Sequence, residues 1–383
     1  MVIRTGLERR VLGALDASPS RIPVLLGGCG TGRTQLLQRL RDRIGRTACQ
    51  YVDIERTATT PERFLAALTA TTPFRSHPLP EPAVTREAFE AALAFLDSSR
   101  TAGGERVTFL FDEVLEFRTF ENFPGLRHVL RELIDRLAAS PNRFVLTTRF
   151  VTRAHRLLRD ATPRFEVIHL PALSVDETRE VMPPGAPSAL GDDLDAHARA
   201  VHALADGRPS YVHALVDAVA AMRQREGVGD PVGALSGLLA PDGRLAATCG
   251  FSYELRLHRA RGCGALKAIL EILSQEEPLT LTEIAHRLRR TPGSTKDYLS
   301  WLEDVDLITV RQKRYSFSDP LLRLWVRLYR RPLPPSEEDL AGEVRAYALS
   351  RLPRAEPAMA LAGPGAGAGE GDDRRSWGII EID

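Results

Sequence analysis

The sequence predicts an α/β protein: a parallel sheet with helices on both faces, then a helical lid, then a module of three helices and a β-hairpin. Three observations carry this. Short apolar runs alternate with helix-spaced segments from about residue 5 to residue 169, and that alternation builds βαβ units and parallel sheets. A glycine-rich turn joins the first run to a helix. From residue 174 to about 261 only helical spacing is found.

Taken in order, Ile22–Leu26 is the first bounded apolar run, and Gln35–Ile44 has helical spacing. Cys49–Ile54 reads as a second strand and Pro61–Ala70 as a helix. Arg75–Pro82 is proline-rich and reads as a surface loop. Val107–Phe111 is a third strand, Leu126–Ala138 an amphipathic helix, Phe144–Thr147 a fourth strand and Phe165–Leu170 a fifth. Val175–Met182 and the alanine-rich Asp193–Ala221 form the lid. Helices over Ala265–Ser274, Leu281–Arg290 and Ser294–Asp304 follow, with Ser294 as N-cap. Leu307–Val310 and Arg314–Phe317 then pair across Arg311-Gln312-Lys313, which completes a winged-helix order. The expected division is 1–172, the α/β domain; 173–262, helical lid; 263–332, winged helix; 333–356, helical extension; and 357–383, a Gly/Ala-rich flexible tail ending in an apolar tip.

The 383 residues are 43% hydrophobic and 26% charged, enough to build a core and too apolar for a disordered chain. A net charge of +1 excludes a uniformly basic nucleic-acid coat, though not a local basic patch. No apolar run reaches the length of a membrane span, and the N-terminus lacks a secretory core, so a cytoplasmic location is expected. Cys29, Cys49, Cys249 and Cys263 are scattered without metal-site spacing. Only Lys267, Lys296 and Lys313 are lysines among 51 basic residues, so arginine serves wherever a cation is needed.

The strongest signal is Gly27-Gly28-Cys29-Gly30-Thr31-Gly32-Arg33-Thr34 between a strand and a helix. It fits G-x-x-x-x-G-K-[ST] except that Arg33 stands where lysine is expected. Glycines let successive N–H groups curve round phosphate oxygens, and the helix N-terminus adds partial positive charge. The Thr34 hydroxyl would hold Mg²⁺. Arginine keeps the charge but is a planar fork, which puts phosphoryl transfer in question. Thr108–Phe111 then leads into Asp112 and Glu113, the acidic half of such a site. Asp112 would hold the metal and Glu113 would orient the attacking water. Both halves are expected on neighbouring strands.

With these two elements in order, the chain resembles the STAND and AAA+ branch of P-loop ATPases, particularly archaeal-type ATPases related to origin-recognition and NB-ARC proteins. The resemblance spans roughly residues 5–330. Thr5-Gly6-Leu7-Glu8 is similar to the family's opening motif near adenine, with Leu7 replacing its usual arginine. Phe144–Arg149 resembles the sensor-1 strand, which implies that Thr148 and Arg149 sense the γ-phosphate of ATP. Leu170–Ser174 resembles the strand-to-lid junction, and Gly207-Arg208-Pro209 the lid element whose proline lies against the nucleotide. Ser318–Trp325 resembles the segment that closes the winged helix. Arg153, Arg156 and Arg159 are either a finger for a neighbouring subunit or a solvated surface.

The resemblance implies a switch that binds ATP and Mg²⁺, hydrolyses ATP slowly and acts through a protein partner or self-association. Two alternatives stay open. One is a DNA-binding initiator or transposition-regulator ATPase using Arg287, Arg289, Arg290, Lys296, Arg311, Lys313 and Arg314 on duplex phosphates. The other is a nucleotide-binding scaffold that Arg33 has made non-catalytic.

Overall fold

The computed structural model describes residues 4–76, 82, 84–182, 193–227, 229–258 and 263–352. The expected tail, 357–383, lies outside the described residues. So do parts of the proline-rich loop and of the lid.

Five parallel strands form the first sheet: β1 (Ile22–Leu26), β2 (Cys49–Asp53), β3 (Thr108–Asp112), β4 (Arg143–Thr148) and β5 (Phe165–His169), in the order β2-β3-β4-β1-β5. β1 and β3 are buried along their whole length, as strands covered on both faces must be. Helices α1 (Thr5–Asp16), α2 (Arg33–Ile44), α3 (Ile54–Thr57), α4 (Pro61–Ala70), α5 (Thr85–Ser98), α6 (Val129–Ala139) and α7 (Val151–Leu158) surround the sheet, with a 3₁₀ segment at Val114–Asn122. Period-two alternation divides β3 between two cores. Phe109 and Phe111 join Phe64, Phe117, Phe120 and Phe144 on one face, where Phe64 and Phe117 meet edge-to-face at 4.7 Å. Leu110 faces the aliphatic side with Leu25, Leu37 and Val145.

One expectation fails here. β1 and β3 are not neighbours, because β4 lies between them and pairs with both. Apolar alternation reports that strands exist but carries no information on their order.

The region expected to be a lid holds α8 (Val175–Val181), α9 (Asp193–Ala205), α10 (Pro209–Glu226), α11 (Pro231–Leu239) and α12 (Arg244–His258). The alanine-rich Asp193–Ala221 stretch forms two helices, broken at Asp206 and Gly207 with φ of 53° and 61°. A Cβ on Gly207 would lie 2.8 Å from the Leu173 carbonyl, so this turn needs glycine.

Next come α13 (Cys263–Gln275), β6 (Leu279–Thr280), α14 (Leu281–Leu288), α15 (Pro292–Asp304), β7 (Ile308–Arg311) and β8 (Arg314–Phe317), then α16 (Pro320–Tyr329) and α17 (Glu337–Arg351). β6 and β7 flank β8 in an antiparallel sheet. Gln312 and Lys313 both take positive φ, as a two-residue hairpin turn requires. Thr291 rather than Ser294 caps α15: its hydroxyl accepts from the Ser294 N–H. Thr280 and Glu283 form a capping box on α14.

This C-terminal module is seated on the first domain. The Asp306 carboxylate accepts from the Val151 N–H at 2.6 Å, at the start of α7. Asp304 pairs with Arg156 and Arg153. Two of the three candidate finger arginines are thereby engaged within the chain.

Candidate functional site: a phosphate-binding loop under a lid

The P-loop follows β1. Gly30 and Gly32 take φ of 78° and 85°, and α2 begins at Arg33. Gly30 approaches the lid closely. A Cβ there would meet the Ser210 hydroxyl at 2.1 Å, and its carbonyl accepts from the Ser210 N–H at 3.1 Å.

Although β4 intervenes, the side chains of the loop and the acidic pair meet. The Thr34 hydroxyl donates to Asp112 Oδ2 at 2.6 Å, and Tyr51 donates to the same oxygen at 3.0 Å. Arg33 reaches Glu113 Oε1 at 2.5 Å and the Gly28 carbonyl at 2.7 Å. The intervening strand closes the gap. Its Thr147 hydroxyl donates to Asp112 and accepts from the Glu113 N–H at 3.2 Å. The Arg149 N–H donates to Glu113 Oε2 at 3.0 Å, and the Arg149 guanidinium lies 3.1 Å from Glu113 Oε1 and also pairs with Glu55.

Glu113 therefore sits between two guanidinium groups, with its backbone in the left-handed region at φ 59°. Burial alone would raise its pKa, but Arg33 and Arg149 outweigh burial and hold the carboxyl below its usual range. Cys29 experiences the same field. Burial pushes its thiol up, yet Arg256, Arg149 and Arg33 together bring it below the ordinary thiol value. The loop is strongly electropositive.

Two arginines come from the lid. Arg208 donates to the Cys29 carbonyl at 3.3 Å and to the Ser318 carbonyl at 2.6 Å, and lies 3.4 Å from Asp319. Arg256, on α12, is 2% exposed and donates to the Asp306 carbonyl at 2.7 Å. The Nε atoms of Arg33 and Arg256 are buried without hydrogen-bond partners. A buried donor without an acceptor can be satisfied by an anion, although Arg256 also bonds to the Cys29 thiol. The donor set of arginines and a glycine-rich turn at a helix start fits a phosphate chain.

Of the predicted residues, Gly27 to Thr34, Asp112, Glu113 and Arg149 come together. Pro209 packs about where a Gly32 side chain would be, at 3.9 Å from that position. Thr148 does not point into the site as expected: its hydroxyl accepts from the Phe150 N–H. Thr147 faces the acidic pair instead, since adjacent strand residues point to opposite faces. Sequence reasoning named Arg208 and Asp319 only as parts of motifs, without a role at the loop, and missed Arg256 and Tyr51. A cavity of about 30 Å³ lies beside Gly32, lined by Arg4, Glu8, Leu170, Leu173, Pro209 and His213. It has room for one or two waters.

The Walker-type ATPase of Pyrococcus abyssi superposes on this chain with a TM-score of 0.61 at 17% identity, over 85% of this chain and 96% of that one. The fold is the one seen in that Walker-type ATPase. Weaker likenesses are to the Thermotoga maritima RuvB Holliday junction branch migration motor (TM-score 0.43, 15% identity, 82% of this chain and 92% of that one) and a Pyrococcus horikoshii STAND protein with a tetratricopeptide repeat sensor (TM-score 0.37, 16% identity, 91% and 45%). No family model and no curated protein matches the sequence. Among the described residues no helix is long and apolar enough to cross a membrane.

Proposed function

We propose that this chain is a cytoplasmic ATP-binding switch of the AAA+/STAND kind, with slow hydrolysis. The observation that carries it is the meeting of the P-loop with the β3 carboxylates, Thr34 on Asp112 at 2.6 Å and Arg33 on Glu113 at 2.5 Å. Gly27, Gly28, Cys29, Gly30, Thr31 and Gly32 would offer main-chain N–H groups to phosphate oxygens, with Arg33 as the cation. Thr34 and Asp112 would hold Mg²⁺, whose charge offsets that of the phosphates when bound. Glu113 would orient water once freed from Arg33 and Arg149, and Arg149 would then turn towards the γ-phosphate. Arg208, Pro209 and Ser210 lie on the loop, so the arrangement corresponds to a shut lid that nucleotide must displace.

We read the C-terminal module as a winged helix acting inside the chain. Supporting this, Asp304 and Asp306 at the end of α15 hold α7, and Arg287 and Arg314 bond to Glu276 and the Pro278 carbonyl. Exposed Lys296, Arg311 and Lys313 keep duplex DNA as the second reading. Salt-insensitive or absent duplex binding would remove it. Partnering through self-association belongs to the same proposal.

The test is equilibrium binding of a fluorescent ATP analogue with and without Mg²⁺, together with a phosphate-release assay. Asp112→Asn is expected to lose the Mg²⁺-dependent part of binding, and Glu113→Gln to retain nucleotide without releasing phosphate. Unchanged nucleotide occupancy in both variants would falsify the site. Tight ATP retention without release, with release gained in Arg33→Lys, would instead identify a non-catalytic scaffold.

A further inference from the structure

His155 lies in the last turn of α7 and His169 is the final residue of β5. Both are exposed. Their Nε2 atoms are 3.2 Å apart, and the rings stack with centroids 5.1 Å apart at 26°. Among the described residues neither ring bonds to a carboxylate, so the pair is not held as an ion pair.

We propose that His155 and His169 are a two-imidazole site for a divalent transition-metal ion such as zinc. Neutral imidazole offers one ring nitrogen as a lone-pair donor while the other keeps its proton. With both Nε2 atoms deprotonated, their lone pairs compete for the same space, and a shared cation relieves that. Nitrogens 3.2 Å apart, each about 2.0–2.1 Å from one ion, subtend roughly 100–106° at it, close to the tetrahedral angle. Zinc has no geometric preference of its own, so it accepts this angle and completes its shell with water on the exposed side. Each Nδ1–H remains available to solvent.

The surroundings suit a cation. The last turn of a helix presents its carbonyl end, the negative pole of the dipole, and the adjacent Arg156 is drawn away to Asp304. The ion would have a mechanical consequence. α7 starts where Asp306 holds Val151, directly after Arg149. β5 continues into Leu170 and Leu173, and the Leu173 N–H donates to the Gly207 carbonyl at the lid turn, at 2.7 Å. A metal bridging the two histidines would fasten the helix after the sensor strand to the lid junction. The site itself stands independently of nucleotide binding.

The experiment is calorimetric titration of Zn²⁺ into the chelator-stripped full chain and into His155→Asn and His169→Asn, with melting temperature as a second readout. Wild type is expected to bind one additional ion per chain relative to either variant. Either substitution should weaken that binding roughly tenfold or more, because one imidazole loses the effective concentration supplied by the second. Zinc should raise the melting temperature of wild type only. Without zinc the three proteins should melt alike, since both side chains are on the surface. Superimposable titrations would overturn the proposal and leave a neutral pair sharing one N–H···N bond. One ion per two chains, with dimerisation, would equally overturn it, as the ligands would then come from separate molecules.

Discussion

The P-loop and the hairpin near the C-terminus are both rich in arginine, and they use it in opposite ways. Around the P-loop, Arg33, Arg149, Arg208 and Arg256 converge from four elements, largely out of solvent and tied to Glu113, Asp319 and backbone carbonyls. In the hairpin, Lys313 lies exposed on a two-residue turn, with Arg311 and Arg314 exposed on the strands that flank it. Residue type does not separate these sets; burial and partners do. A buried guanidinium is costly unless it is paired, so its position is specified by the whole structure. An exposed one is nearly free to be replaced.

The sharpest way to break this contrast is Glu113→Ala. It leaves Arg33 and Arg149 buried beside each other without their shared carboxylate, and a loss of about 3–5 kcal/mol is expected in urea denaturation. Arg311→Ala on the hairpin should change stability by less than about 0.5 kcal/mol. Comparable losses in the two variants would erase the distinction. Next in size is Asp319→Ala. Asp319 accepts from Tyr211 at 2.8 Å, caps Leu321 and Leu322 at the start of α16, and faces Arg208. Losing a buried acceptor shared by four groups should cost about 2–4 kcal/mol. It should also loosen Arg208, so faster binding of a nucleotide analogue is expected alongside the lower stability. Lower stability with an unchanged association rate would mean that Asp319 serves packing alone.

Much of the site was legible in the sequence because its elements are local. The glycine spacing specifies an anion-binding turn wherever a strand precedes it and a helix follows, and Asp112-Glu113 ends a continuous apolar run. The parts that were not legible depend on order and distance. Nothing in Phe144–Thr147 says that this strand inserts between the other two, yet that insertion brings Thr147 rather than Thr148 to the carboxylates. The roles of Arg208 and Arg256 were hidden for another reason. Among 48 arginines, a buried one looks like any other until its neighbours are known. α5 and α7 were not read as helices from the sequence, and α7 is only eight residues long, too short for its spacing to stand out. His155 and His169, fourteen residues apart, match no ligand spacing and meet only because α7 returns along β5.

The smallest expected effect concerns the hinge between the two regions. Burial is the main reason that the Asp306 carboxyl is pushed up to about 6, although Val151, Arg256 and Thr152 partly offset it. In the unfolded chain the same group titrates near 3.9. Between those values the folded protein holds a proton that the unfolded chain has released. Stability should therefore fall as pH rises from about 4 to about 6, by up to roughly 3 kcal/mol, and stay reduced above. Asp306→Asn removes the charge, keeps an oxygen to accept from Val151, and tolerates the φ of 53° at this position. The variant should match or trail wild type near pH 4 and exceed it near pH 7. Urea melts at half-unit intervals from pH 4 to 7.5 measure the difference directly. A wild-type-minus-variant gap that stays constant across the window would show that Asp306 is not the group that titrates, and that α7 is held by geometry rather than by a strained charge.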